Sequence, residues 1–452
     1  RWGVGREQHV SGVEAEMIYM ECETLFNITL APVTDPFAEG RETQADNYIR
    51  APQAFPHVLS TPNSQNVRTG DPAIFRDFRV APVDFFPVSY DAANKIATVA
   101  TKIKVRVHFS GFDARNAKTP PESISQVFDE IYEPVIANYW FFKNNRAIRN
   151  GNILYVCRDS FTNDIAPLVL WKKRCGFNVQ VAAAYEDIGG GDAPSSDEIY
   201  NYIHAAYYSD FPPDYVVLVG DVRAGGIFLP DFAYVSTHTG ETYASDFGYS
   251  KLEGDDYLPD VVVGRISVFS EAEAAAYAAK VVKYETDPLA GGADWLRRGL
   301  VVAGNCCGTP QPTSPRLVAL WTRELALRKG FTNVDTFFWT NSSYPYYPSD
   351  ISAAINSGVA FINYRGWAGT EGWSYPSYRV THVQGLANVN MPPIVTSIVC
   401  GSGDFKASTD PCFGEAWIRV GTPAQPKAGI AFYGSSDHDT HTKWNNPNAE
   451  GF

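Results

Sequence analysis

Val359-Ala-Phe-Ile-Asn-Tyr-Arg-Gly-Trp367 and Ile394-Val-Thr-Ser-Ile-Val-Cys-Gly401 decide how this chain is read. Each is an apolar β run that stops at a small-residue turn, the first at Arg365-Gly366-Trp367 and the second at Cys400-Gly401. Near-continuous apolar runs of strand length fit strands covered on both faces, as in a parallel sheet. In an open parallel sheet, residues just past the carboxyl ends of the strands face the ligand crevice. Cys400 is then a presented thiol, and it is the strongest chemical signal in the sequence.

The same rhythm runs outward from these two strands. Apolar strands are expected at 153–156, 179–183, 215–219, 261–263, 300–303, 334–339 and 430–433. Helical segments at 165–173, 196–207, 270–283, 317–328, 349–356 and 413–420 alternate with them. Ser195-Ser-Asp-Glu198 is a capping box, and Gly176 and Gly330 stand where left-handed caps belong. Repeated βα units imply an α/β protein with parallel sheets flanked by helices. The stretch is long enough for two side-by-side subdomains, 151–269 and 270–452, the second carrying Cys400.

Residues 1–150 read differently. Alternating, β-branched runs such as 96–109 are separated by turn signals at 62–63, 69–72 and 91–94, which predicts a mainly antiparallel β domain. A helix is expected at 123–138, followed by a polar, basic linker at 141–151 that reads as a boundary and a cleavage site.

Composition bounds the function. A 452-residue chain with 45% hydrophobic and 14% aromatic residues is globular and multidomain. A net charge of −13 without basic clusters argues against nucleic acid as a partner. No apolar stretch reaches the length of a membrane span. Residue 1 is Arg with no signal-type segment after it, and Asn448-Ala-Glu-Gly-Phe452 reads as an interruption, so a trimmed chain is expected. The odd count of cysteines (Cys22, Cys157, Cys175, Cys306, Cys307, Cys400, Cys412) fits no zinc spacing, and buried thiols are the expectation for most.

Ile362-Asn-Tyr-Arg-Gly-Trp-Ala368, Thr381-His-Val-Gln-Gly-Leu-Ala-Asn388, Ile398-Val-Cys-Gly-Ser-Gly-Asp-Phe405 and Pro411-Cys-Phe-Gly-Glu-Ala416 resemble the gingipain family of cysteine peptidases, in the caspase-like clan. Ser245-Asp-Phe-Gly-Tyr249, Pro259-Asp-Val-Val-Val-Gly-Arg265 and Gly429-Ile-Ala-Phe-Tyr-Gly-Ser-Ser436 extend the resemblance over 152–452. The first 150 residues resemble the family's propeptide, which implies that they cover the cleft. The resemblance also implies export, hence an extracellular or bacterial cell-surface location, and bound calcium.

The family pairs a cysteine at one strand end with a His-Gly at the end of the strand before it. Cys400 falls on the nucleophile position, but the histidine position falls on Trp367, after Gly366. Indole has no titratable nitrogen and cannot act as a general base. The carboxylate that orients the family histidine maps to Cys306, and the acidic specificity residue maps near Arg316, so basic P1 preference does not carry over. His438 and His382 are the candidate substitute bases, with Asp437 or Asp439 available to orient His438. Cys412 opens a helix, where the macrodipole would lower its pKa, but the expectation for it is a buried packing thiol.

Binding residues are expected at Gly366, Gly401, Trp373 and Arg316, in a cleft suited to a peptide or protein ligand. Asp246, Asp255 and Asp256, close together with Glu253 and Asp260, are the expected calcium ligands, with Asp221, Asp231 and Asp437 as alternatives. Three functions follow: a peptidase fold with little or no activity that binds, an active zymogen using Cys400 with His438 or His382, and a self-assembling subunit.

Overall fold

The computed structural model describes residues 2–3, 12–26, 67–91, 93–111, 113–223, 229–236, 240–304, 313–339, 346–438, 440, 445–446 and 448–449. Its N-terminal unit is mainly antiparallel. The long strand Gly12–Phe26 pairs with Ile96–Ser110, which pairs in turn with Val88–Asp91. An aromatic core of Phe75, Phe78, Phe128, Tyr132, Tyr139 and Phe142 is buried between the hairpin Ala73–Ala81 and the helix Gln126–Val135. Ser125 caps that helix by accepting from the Val127 N–H at 3.2 Å.

The stretch 141–151, read as a boundary, carries regular structure. Tyr139–Lys143 is helical, and Ala147–Arg149 forms a parallel strand against Ser123–Ser125. Strand pairing meets its backbone groups, and Arg149 reaches Asp214 with both terminal nitrogens at 3.0 Å.

Two parallel sheets follow. The first has the spatial order Asn178–Ala183, Asn152–Cys157, Tyr215–Val219, Val262–Ile266. The second runs Asn333–Phe338, Arg298–Ala303, Phe361–Arg365, Ile394–Ser397, Ala431–Gly434. Asn152–Cys157 is buried at every position, as its unbroken apolar run predicts. The capping box at Ser195 and Glu198 forms as expected.

The helix Glu271–Thr286 joins the two sheets. Ala274 and Ala278 pack into the core of the first sheet. Lys280, 1% exposed, donates to the carbonyls of Ile418, Val420 and Gly429 at 2.9 to 3.1 Å, at the end of the helix Phe413–Arg419.

Arg419, on that last helix, makes the second tie. It bonds Asp221 at the carboxyl end of the first sheet (2.8 Å), Glu415, Asp410 (2.7 Å) and the Ser267 carbonyl (2.7 Å). Burial pushes the Glu415 carboxyl up, and Arg419 pulls it back. Arg419→Met leaves Asp221 and Glu415 buried without this counter-charge and should cost about 3–5 kcal/mol. Arg419→Lys should recover only part of that loss, since an ammonium lacks the planar fork. Urea unfolding of the two variants measures both effects.

Candidate active site

The crevice lies where the strands of the second sheet end. Phe361–Arg365 leads into Gly366 and Trp367, Ile394–Ser397 into Cys400, and Ala431–Gly434 into His438. Gly366 has to be glycine: a Cβ there would sit 2.5 Å from the Tyr364 Oη. The buried Tyr364 phenol organises the whole turn. It donates to the Trp367 carbonyl at 2.8 Å and the Tyr375 carbonyl at 3.2 Å, and it accepts from the Trp367 N–H at 3.0 Å. Trp367 is half-buried, and its main chain is fixed whatever side chain it bears.

Cys400 is 5% exposed, and its Sγ lies 3.1 Å from the Thr440 Oγ1. Gly401 follows at φ +58°, the left-handed region that suits glycine, and its N–H donates to the Asp437 carbonyl at 2.9 Å. A Cβ on Gly401 would strike the His438 ring, 2.4 Å from Cε1 and 2.7 Å from Nδ1. His438 therefore packs directly on the residue after the thiol. Its Nε2 lies 3.2 Å from Asp404 Oδ2, and its ring stacks on Tyr243 at 6.0 Å. The carboxylate expected to orient it was Asp437 or Asp439; Asp404 does so instead, and Asp439 lies outside the described residues. The sequence held one signal for Asp404, which closes the same Cys400-Gly-Ser-Gly-Asp404 turn.

The other candidates divide. His382 Nδ1 accepts from the Arg379 N–H at 2.9 Å, its ring stacks on Tyr378, and burial with the Arg379 charge lowers its pKa. It is engaged in capping the short helix Val380–Gln384. Trp373 does not line the cleft. It is fully buried in the core of the second sheet, stacked 4.4 Å from Tyr364 with its Nε1 on Ser397, because the hairpin 372–379 folds it inward. Cys412 is buried too. Burial first, and then Glu415, push its thiol well up, against the expected helix-dipole effect. Arg316 lies over the Phe338 ring at 5.8 Å, at the carboxyl end of an outer strand. Cys306 lies outside the described residues.

The acidic residues do not fit a calcium cage. Both Asp246 oxygens take Arg265 at 2.8 Å. Asp256 accepts from the Ile74 and Leu258 N–H groups, and Asp255 from Asn116. Of the alternatives, Asp221 holds Arg419, and Asp231 holds Lys406 at 2.9 Å. Among the described residues no group of three or more His, Cys, Asp or Glu is placed to hold a metal ion.

The described contacts of the N-terminal unit fall on the opposite face, at the amino ends of the first sheet. Arg76 reaches Asp214, Lys118 pairs with Glu253, and the Ile74 N–H donates to Asp256. Residues 27–66 lie outside the described residues.

Comparison with known proteins agrees with this geometry. A model of peptidase family C25 matches residues 147–450, and a model of the C25 propeptide matches residues 8–144. Gingipain R2 of Porphyromonas gingivalis is 25% identical over 408 residues, 89% of this chain and 51% of the relative. Gingipain R1 of the same species is 25% identical over 398 residues, 85% of this chain and 38% of the relative. The chain thus spans about half the length, or less, of these curated relatives. Two solved structures share the fold: the Arg-specific cysteine proteinase gingipain R (TM-score 0.55, 24% identity, 64% of this chain and 63% of that one) and the complex of P. gingivalis RgpB pro- and mature domains (TM-score 0.55, 24% identity, 64% of each).

Tyr364→Phe tests how the turn is built. Losing the phenol strands the Trp367 N–H and removes the donor to the Tyr375 carbonyl, while the Trp367 carbonyl keeps the Ser374 N–H at 2.9 Å, and the variant should lose about 1–3 kcal/mol in chemical unfolding.

Proposed function

The chain belongs to peptidase family C25, and from that premise we propose that it is a secreted, gingipain-like protein with an impaired cysteine-peptidase site, acting by binding or in surface assembly. The observation that carries this reading is Trp367 at the end of the strand beside Cys400, where the family has its histidine. A peptidase thiol must be ionised, and the base that takes its proton later protonates the leaving amine. The Thr440 hydroxyl beside Cys400 supplies neither a base near neutral pH nor a positive charge.

In this reading a peptide or protein ligand occupies the crevice, and a cover by the N-terminal unit comes from parts of it other than the contacts at the amino ends of the first sheet. The solved complex of pro- and mature domains of a relative supports that cover. The extracellular or cell-surface location rests on the gingipains among the relatives; among the described residues no helix is long and apolar enough to cross a membrane.

One observation favours a second reading, an active zymogen. The His438 ring rests on Gly401, and Asp404 holds its Nε2. A carboxylate that orients an imidazole beside a nucleophile is how acid–base histidines are positioned elsewhere.

Alkylation of Cys400 with iodoacetamide from about pH 5 to pH 9, beside a mixed-peptide cleavage assay, separates the two. The first reading expects an ordinary thiol profile and no cleavage. A profile shifted to lower pH that reverts in His438→Ala would establish the second and sink the first. Trp367→His should return an imidazole to the strand end and move the alkylation midpoint down by about one unit or more. An unchanged midpoint in that variant would mean that residue 367 does not face the thiol.

A further inference from the structure

The most completely built side-chain site outside the crevice lies at the amino ends of the first sheet, and Arg76 fills it. Arg76 and Asp77 form the two-residue turn of a hairpin in which Phe75 pairs with Phe78. Turns of this kind need positive φ, which is why Asn and Gly dominate them. Arg76 nevertheless holds φ +46°, a conformation that residues with a Cβ rarely adopt.

The backbone so held aims the side chain out of its own unit, and it ends 2% exposed. Nη1 donates to the carbonyls of Pro213 at 2.8 Å and Asp260 at 2.5 Å. Nη2 meets Asp214 Oδ1 at 2.9 Å and the Pro212 carbonyl at 3.5 Å. The guanidinium carbon lies 4.5 Å from the Phe128 ring centroid and 5.4 Å from that of Tyr207. All of these partners except Phe128 belong to the α/β unit. Asp214 is fully buried, and its amide-bonded position is fixed by the Asn152 N–H at 2.7 Å. Four acceptors shared between two terminal nitrogens fit a guanidinium fork and not the point charge of an ammonium.

We propose that Pro212, Pro213, Asp214, Asp260 and Tyr207 form an arginine-recognition site on the α/β unit, separate from the Cys400 crevice, through which the N-terminal unit is retained by Arg76. The site serves this purpose whether or not the crevice is active. Its ligand is a guanidinium group carried on a tight turn. A cavity of about 460 Å³ lined by Arg76, Arg149 and Tyr207 adjoins it and admits small guanidinium compounds.

Chemical rescue in the full chain tests the assignment. In Arg76→Ala, amide hydrogen exchange over 73–81 and 212–216 should quicken roughly tenfold or more, while the strand 298–303 stays protected as an internal reference. Millimolar ethylguanidinium should restore slow exchange, ethylammonium at equal ionic strength should not, and Asp214→Asn should abolish the rescue. Wild-type exchange in Arg76→Ala, or equal rescue by both cations, overturns the proposal. Should Arg76→Ala fail to fold, Arg76→Lys decides: it keeps charge and bulk, so faster exchange supports a guanidinium-specific site, and wild-type exchange refutes it.

Discussion

One buried guanidinium ties the crevice to the other sheet. Arg419 sits on the helix that follows the Cys400 loop, and Asp221 sits at the end of a strand in the other sheet. Their contact, reinforced by Glu415 and Asp410, holds the carboxyl ends of two separate sheets at one level. An ion pair is weak evidence for stability as such, because desolvating the charges offsets most of their attraction. Its effect here is positional. Lys406 on Asp231 at 2.9 Å and Arg223 on Asp410 at 2.6 Å tie the 401–412 loop to the first sheet as well, so Arg419 acts with them in fixing the thiol and the Asp404 carboxylate relative to that sheet.

Much of the fold was legible because it is local. Unbroken apolar runs such as 152–157 and Gly or Ser at helix ends speak for themselves over a few residues, and the structure forms the helices and parallel strands they announce. The strand ends that carry Trp367 and Cys400 were equally legible. Contacts made across long stretches of chain were not. Asp404 and His438 are 34 positions apart and meet only because adjacent parallel strands end side by side. Trp373 reads as an exposed cleft aromatic until the hairpin that turns it inward is known. Arg76 is one polar residue in a β-rich stretch, and nothing near it in sequence discloses a socket formed by residues 212–214 and 260.

The crevice also explains how residue 367 can vary without disturbing the turn. The Arg365–Trp367 turn is held through main-chain groups by the Tyr364 phenol, and Gly366 supplies the close approach. None of these contacts uses the side chain at 367. Substitution there is thus decoupled from the main-chain contacts that hold the turn.

The paired strand Ala147–Arg149 has a kinetic consequence. Proteases bind their substrates extended, and this segment is already extended, but its outward edge is engaged by Ser123–Ser125 and its last side chain by Asp214. A protease therefore meets it only in molecules where that edge has peeled away. When peeling and reclosing outpace the cut, the rate of separation of the two units follows the equilibrium population of the open form. For any cut at this segment, the rate is then the product of the open fraction, set by this protein's local stability, and the protease's own rate.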